Sequence, residues 1–409
     1  MEQTTFSFPR EVLREGRVSV VVPELEAYAT KPWDYAPSKA PVFFNPVMKL
    51  NRDIAVLALR AYQSASGRAL SVCEPLAGCG IRGVRFAVEV DGEIQIVLND
   101  INPEAAKLTQ LNVARNELAD CIRVTNEDAN LLMSRFAAPR KRFDLIDVDP
   151  FGSPAPYIDA AIRAVRNDGL LALTATDMAP LCGVHLQACI RKYGGRPLRT
   201  EYCHELAVRL LAGCLTMMAA KHGIGIRVLF SHSTDHYIRL YALIQYGARR
   251  SDRSVQQMGY ILHCFSCLHR EVVAGMFSPL RLKCPDCGFK LSVAGPLWTG
   301  RLVDKDFCAS MITDAVHRNS DEKLLLKLLS LIEGEADAPV TYYTTDKICD
   351  RLKVPIPPLM QVIEVLGSLG FPAVRTHFNS TGIKTEAPAS DVASIVSSFS
   401  SSKPDHVSP

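Results

Sequence analysis

Short apolar runs alternate with stretches of helical periodicity over the first 250 residues. Residues 69–74, 95–98, 121–125, 143–148 and 169–174 read as strands buried on both faces. Residues 81–90, 103–115, 129–136 and 155–165 lie between them and read as helices. That alternation predicts an α/β fold, a doubly wound sheet of parallel strands. Two later apolar runs, 225–230 and 237–244, pair as antiparallel strands at its edge, and an alternating stretch at 18–22 suggests an earlier strand. Pro46 is placed to open a helix with Met48, Ile54, Ala55 and Leu59 as its apolar stripe. Arg52 lies off that stripe, which by default makes it a solvated surface arginine. A further helix is expected at 205–221, after a basic, glycine-rich loop at 191–199. Around 248–253 the pattern turns polar, and a boundary is placed there. Residues 1–250 form the sheet domain, 251–385 a smaller α+β domain, and 386–409 a serine-rich tail expected to be disordered. Within 321–375 the elements read helix, short strand, helix and helix, with an extended hairpin after them, the outline of a winged helix.

The chemistry concentrates where the strands end. The strand at 143–148 carries acids at Asp144 and Asp147, and Asp149 follows just before Pro150. Pro150 cannot continue the ladder and holds Asp149 extended, delivering its carboxylate to the edge where open α/β sheets bind ligands. Phe151 follows on a loop ending in Gly152. A carboxylate, nearby carbonyls and an aromatic plane can together hold a planar amino group: the oxygens accept its N–H bonds and the ring stacks. After the first strand, Gly78, Gly80 and Gly83 match G-x-G-x-x-G, and Asp100 stands 20 residues past Gly80. A glycine turn with a carboxylate at that spacing points to a nucleoside cofactor whose ribose hydroxyls meet Asp100. Asp128-Ala129 falls where an adenine lies in this layout, although Asp128 alone reads as a helix N-cap. Cys264-x-x-Cys267 and Cys284-x-x-Cys287, 16 residues apart, have the spacing of a four-thiolate zinc site, closed and therefore structural.

Composition narrows these readings. A net charge of +3 on 409 residues names no partner. Any nucleic-acid footprint must be local, and the basic clusters at 140–142, 191–199 and 249–253 are its candidates. Thirteen cysteines, odd in number and mostly scattered, fit reduced thiols rather than a disulfide scaffold. Residues 1–10 lack the basic start and apolar core of a signal peptide. No stretch approaches the ~18 apolar residues of a membrane span. A cytoplasmic enzyme without membrane association or an obligate protein partner is expected.

Several segments together resemble the tRNA guanine-N2 dimethyltransferase family over most of residues 40–300. They are Phe43-Phe-Asn-Pro-Val-Met-Lys-Leu-Asn-Arg-Asp53, Gly80-Ile-Arg-Gly83, Asn99-Asp100, Asp128-Ala129, Asp149-Pro-Phe-Gly-Ser-Pro-Ala-Pro156, Thr174-Ala-Thr-Asp177 and Tyr202-Cys-His-Glu205. The resemblance implies a Rossmann-like class I methyltransferase sheet, S-adenosyl-L-methionine as methyl donor and guanosine 26 of tRNA as substrate. It implies that Arg52, Arg82, Asp100, Asp128 and Ala129 hold the cofactor and that Asp149 is the catalytic carboxylate. Phe43 and Phe151 would sandwich a guanine flipped out of its stack. The cysteines Cys264, Cys267, Cys284 and Cys287 resemble the zinc-bearing branch, with residues 251–385 binding tRNA. The turn Ala77-Gly-Cys-Gly80 departs from the family's more usual Ala-Ser-Gly. His204, His232 and His236 read as structural hydrogen-bonding groups, since methyl transfer to an amine leaves a proton that water can take. Three rivals stand beside this reading. A nicotinamide oxidoreductase fits the glycine turn but leaves Asp149-Pro-Phe151 unused. A methyltransferase for another exocyclic amine, such as adenine N6, wants the same acceptor. A non-catalytic RNA-binding zinc protein gives Gly78, Gly80, Asp100 and Asp149 no reason to coexist.

Overall fold

The computed structural model describes residues 6–29, 36–318 and 323–401. The chain forms two compact units interleaved in sequence. Residues 1–174, 241–246 and 309–326 make the first; 175–240, 247–308 and 327–409 make the second. The chain therefore does not divide at residue 250. The polar stretch there is the amphipathic helix Ala248–Gln256, with Ser251 and Ser254 buried, so its composition marks a solvated helix face rather than a linker.

Seven strands form the main sheet: β1 (Leu70–Glu74), β2 (Ile94–Asn99), β3 (Ile122–Thr125), β4 (Phe143–Val148), β5 (Val165–Ala175), β6 (Ile224–Thr234) and β7 (Tyr237–Tyr246). Their order is β3-β2-β1-β4-β5-β7-β6. The pairs β1–β2, β1–β4, β2–β3 and β4–β5 are parallel. Two residues join β6 to β7, a link that only an antiparallel hairpin allows. All six residues of β4 are buried, as its apolar run requires of a central parallel strand. Its buried acid, Asp144, accepts from Ser71 N–H at 2.9 Å and from Arg166 at 2.8 Å. Strand order reverses at β1 and β4, and ligands of such sheets bind in the crevice beyond that reversal. Cys73 pairs with Ile146, so the next residues along the two strands are Glu74 and Asp147.

Five helices connect these strands or precede them: α1 (Lys49–Ser66), α2 (Ile81–Glu89), α3 (Pro103–Arg115), α4 (Ala129–Arg135) and α5 (Ala155–Ala164). Pro46 opens a short 3-10 turn ahead of α1, and Asn45 caps that turn by accepting from Val47 N–H at 3.0 Å. α1 is buried continuously from Asn51 to Tyr62 rather than along one stripe, and Arg52 is buried with it. A hairpin supplies its partner, the expected strand at Val18–Pro23 pairing with an unanticipated one at Arg10–Glu15.

In the second unit, helix Cys203–Ala220 is long and apolar enough to cross a membrane by length and composition, which corrects the sequence expectation. It is 72% buried within the fold, as a core helix is. Strands Met258–His263, Arg270–Ala274 and Ser292–Trp298 make a second sheet around the cysteine knuckles. After helices Lys305–His317 and Lys323–Gly334 come Tyr343–Thr344, Thr345–Leu352, Leu359–Ser368, Ala373–Arg375 and Gly382–Thr385, the last strand lying between the other two. The serine-rich end is not disordered as expected. Ala389–Ser401 is a helix whose Val392 and Val396 are fully buried beside Ile348, Val362, Leu366 and Ile383. Ser390, Ser394 and Ser398 recur every fourth residue on its exposed face, so helical spacing hid an apolar stripe inside a polar composition. Residues 402–409 of that tail lie outside the described residues.

Candidate functional site

Val148 is the last ladder residue of β4, Pro150 is buried, and Asp149 between them keeps 19% of its side chain exposed. The Asp149 carboxylate is ion-paired with Arg82 Nη2. Arg82, on the first turn of α2, is itself buried. Its Nε lies 3.1 Å from Glu74, while Nη1 lies 3.3 Å from Asp147 and donates to Asn51 at 2.9 Å. One cation thus serves three carboxylates. Burial pushes Glu74 up to about 8, with Asp147 and Asp149 adding to the rise and Arg82 opposing it. That rise favours the protonated form of Glu74, against its contact with Arg82 and the Gly83 N–H that it accepts at 3.0 Å.

The glycine turn follows β1. Gly78 and Gly80 have φ of +57° and +76°, the left-handed region that glycine enters freely. A Cβ at Gly78 would lie 3.2 Å from the Phe43 carbonyl oxygen, and one at Gly83 would collide with Leu98 at 2.2 Å. Asp100, just past β2, closes this turn: its two oxygens accept from Gly78 N–H at 2.8 Å and Asn102 N–H at 2.9 Å. Burial raises its pKa, against the pull of those two N–H groups. Each Asp100 oxygen retains acceptor capacity for a hydroxyl. The turn and carboxylate therefore suit a nucleoside cofactor. Asn99 clamps the neighbouring strand ends, donating to Pro75 O at 2.9 Å and Glu127 O at 3.0 Å while accepting from Glu127 N–H at 3.1 Å. Asp128 caps α4 by accepting from Leu131 N–H at 2.9 Å, and Ala129 is buried behind it.

Phe43 and Phe151 meet directly. Their ring centroids are 4.3 Å apart at an interplanar angle of 86°. Phe151 is 69% exposed on the loop that Gly152 turns with φ +82°. The two rings touch edge to face, without the gap that a base sandwiched between them needs. Arg52 takes another role from the one its surface position suggested. It grips Glu15 of the hairpin with Nε and Nη2 at 2.7 and 2.6 Å and donates to Asn45 O at 3.1 Å. Arg85 shares Glu15 at 2.9 Å, and together the two arginines hold its carboxyl low against the effect of burial.

The edge thus pairs Asp149 with Arg82 and, two residues along the chain, Phe151 with Phe43, joins Asp100 to the Gly78 turn, and ties Asn99 to Glu127 just before Asp128. Sequence reasoning missed Glu74, Asn51 and Glu15. Glu74 had a signal, a carboxylate ending an apolar strand; Glu15 had none, since its partner lies 37 residues away on another element.

In the second unit the cysteine knuckles repeat one turn. Leu268 N–H donates to Cys264 O at 2.9 Å, and Gly288 N–H to Cys284 O at 3.0 Å, both residues having positive φ. The Sγ atoms of Cys264, Cys267, Cys284 and Cys287 lie within 4.8 Å of one another, and the pairs Cys264–Cys287 and Cys267–Cys284 are 3.5 and 3.4 Å apart. Four thiolates around a tetrahedral zinc, each bond ~2.3 Å, need about that spacing. The Phe289 N–H draws the Cys287 thiol down to about 7.

Comparison with known proteins places the chain in a family. A family profile described as "TRM: N2,N2-dimethylguanosine tRNA methyltransferase" matches residues 16–397. A tRNA (guanine(26)-N(2))-dimethyltransferase of Methanothermobacter thermautotrophicus is 41% identical over 385 residues, 94% of this chain and 98% of that protein. A tRNA (guanine(26)-N(2)/guanine(27)-N(2))-dimethyltransferase of Aquifex aeolicus is 34% identical over 388 residues, 93% of this chain and 94% of that one. Among solved structures, Trm1 from Pyrococcus horikoshii in complex with S-adenosyl-L-methionine is similar with a TM-score of 0.81 and 35% identity, covering 94% of this chain and 99% of that one.

Proposed function

The chain belongs to the N2,N2-dimethylguanosine tRNA methyltransferase family, and on that premise we propose that the Asp149 edge methylates N2 of guanosine 26 in tRNA. It is an S-adenosylmethionine-dependent tRNA guanine-N2 dimethyltransferase on a Rossmann-like sheet. The observation that carries the site assignment is Asp149 at the end of β4, backed by Arg82 and flanked by the Phe43–Phe151 pair.

Asp100 takes the ribose hydroxyls of the cofactor beside the Gly78 turn, Asp128 and Ala129 border its adenine, and Arg82 and Arg52 stiffen the walls from behind. The cofactor supplies a methyl group on a sulfonium, an electrophile that needs a nitrogen in line with it. Guanine N2 is a poor nucleophile because its lone pair is delocalised into the ring. Asp149 accepts an N2–H bond, turns the lone pair outward and offsets the positive charge that develops on nitrogen. Arg82 fixes the rotation of that carboxylate. Holding the base in place removes much of the remaining barrier, and the rings of Phe43 and Phe151 replace the stacking lost when guanosine 26 leaves its helix. The released proton passes to water at the exposed face of Asp149. Zinc, held by Cys264, Cys267, Cys284 and Cys287, is structural. Residues 251–385 and the basic clusters contact tRNA, and the reaction runs in the cytoplasm.

Nucleosides digested from unmodified tRNA after incubation with protein and labelled S-adenosylmethionine test this reading. N2-methyl- and N2,N2-dimethylguanosine are expected, and both should vanish when guanosine 26 is replaced by adenosine. Label in another base overturns the assignment. N2-methylated guanosine that persists after that replacement marks a second target such as guanosine 27.

A further inference from the structure

A second group of metal-ligating side chains shares no residue with the Asp149 edge or the four-cysteine knuckles, and methyl transfer gives it no work. Cys182, Cys203 and His204 place their ligand atoms within 4.8 Å of one another, sharing no residue with the knuckles. All three are half-buried. They come from two segments. Cys182 follows the single turn Met178–Leu181, while Cys203 and His204 open helix Cys203–Ala220.

The backbone explains the close approach. Gly183 has φ +87°, and a Cβ there would lie 2.9 Å from Arg199 N and 3.0 Å from Leu198 C. The chain just after Cys182 is therefore seated directly on the chain that leads into Cys203. Cys182 N–H donates to Met178 O at 2.7 Å, and Cys203 N–H to Thr200 O at 3.2 Å, so each thiol sits on a fixed turn. The two thiols hydrogen-bond to each other. His204 donates a ring N–H to the Phe378 carbonyl, the arrangement in which a neutral imidazole keeps its other nitrogen for a cation. Cys203, at the start of an 18-residue helix, also meets the positive end of that helix's dipole.

We infer that Cys182, Cys203 and His204 form a second metal site, for a divalent transition cation of the zinc type. Two thiolates and one imidazole select a borderline-soft ion over magnesium or calcium, which want oxygen donors. The three protein ligands leave the fourth tetrahedral corner to water. Binding exchanges two thiol protons for the cation: the metal–sulfur bonds form and two protons leave to solvent. The ion ties the Met178–Gly183 turn to the helix start.

Titrating reduced, metal-stripped full-length protein with Co2+ alone under anaerobic conditions tests the site. Wild type is expected to take two equivalents with tetrahedral visible bands and thiolate charge-transfer absorption. Cys182→Ser and His204→Ala should each take one, and the charge transfer that remains should be that of the four-cysteine site. His204→Ala removes no thiol, and matched circular dichroism spectra separate a lost site from a lost fold. Equal cobalt uptake by wild type and Cys182→Ser overturns the inference. A single wild-type equivalent lost in Cys284→Ser but kept in Cys182→Ser also overturns it while upholding the knuckles. A single equivalent lost in Cys182→Ser but kept in Cys284→Ser upholds it and removes zinc from the knuckles instead.

Discussion

Replacing Asp149 by Asn keeps the shape of the side chain but lets it present an NH2 where guanine needs an acceptor. Methyl transfer in single turnover at saturating tRNA and cofactor should fall on the order of 10²–10³-fold, the loss typical of one preorganised electrostatic contact. A wild-type rate there would remove Asp149 from catalysis. Asp100→Ala should act on binding instead, losing about 1.5–3 kcal/mol of S-adenosylmethionine affinity as a charge-assisted pair disappears. Unchanged calorimetric affinity would end the ribose assignment. Glu74 carries a different signal. Raised by burial from its ordinary 4.5 to about 8, it keeps a proton that the unfolded chain releases. Its contribution to stability is therefore complete below about pH 4.5 and is lost as pH climbs through 8. A sulfonium arriving at this edge adds a positive charge and should expel that proton. Cofactor binding near pH 7 should thus release protons, read as a dependence of binding enthalpy on the buffer's ionisation enthalpy. Glu74→Gln should abolish the dependence, and a wild type without it would show that Glu74 is already ionised.

Among the elements, the parallel strands and the turns after them were legible because a buried parallel strand has to be apolar throughout and a turn at a cofactor has to be glycine. β4 with Asp149, the Gly78–Gly83 turn and the paired cysteines each follow from such a local rule. What stayed hidden depends on a partner distant in sequence. Arg52 looked solvated because its helix was read alone, whereas Glu15 arrives from a hairpin that only the fold brings near. The terminal helix was masked because three exposed serines set its composition while Val392, Ile395 and Val396 set its structure. The knuckles give an element-scale expectation. Cys284→Ser should drop zinc at the four-cysteine site below one equivalent and loosen the sheet of Met258–His263, Arg270–Ala274 and Ser292–Trp298, as increased amide exchange there would report. Cofactor binding should survive. Full retention of zinc by this variant would show that the four thiols do not act as one site.

At the scale of the whole molecule, a net charge of +3 gives little general attraction to nucleic acid, so recognition of tRNA has to come from many placed contacts. Phe43→Ala or Phe151→Ala should lower turnover by roughly 1–3 kcal/mol of lost base stacking without weakening S-adenosylmethionine, measured by kcat/KM for tRNA beside cofactor calorimetry. Unaltered kcat/KM in both variants would mean that the rings do not hold the base. On the proposed reading their mutual contact at 4.3 Å has a further consequence. A base between two parallel rings needs them about 7 Å apart, two layers at ~3.5 Å, so the pair must part before anything enters. Parting forfeits a ring–ring contact of about 0.5–1.5 kcal/mol, which lowers the apparent affinity of any single base roughly 2- to 12-fold. A tRNA held elsewhere along its length absorbs that loss easily, whereas free guanosine or GTP has nothing else to offer. In a cell where free guanine nucleotides far outnumber any one tRNA, that cost falls on both alike, and the contacts along the rest of the tRNA are what select it.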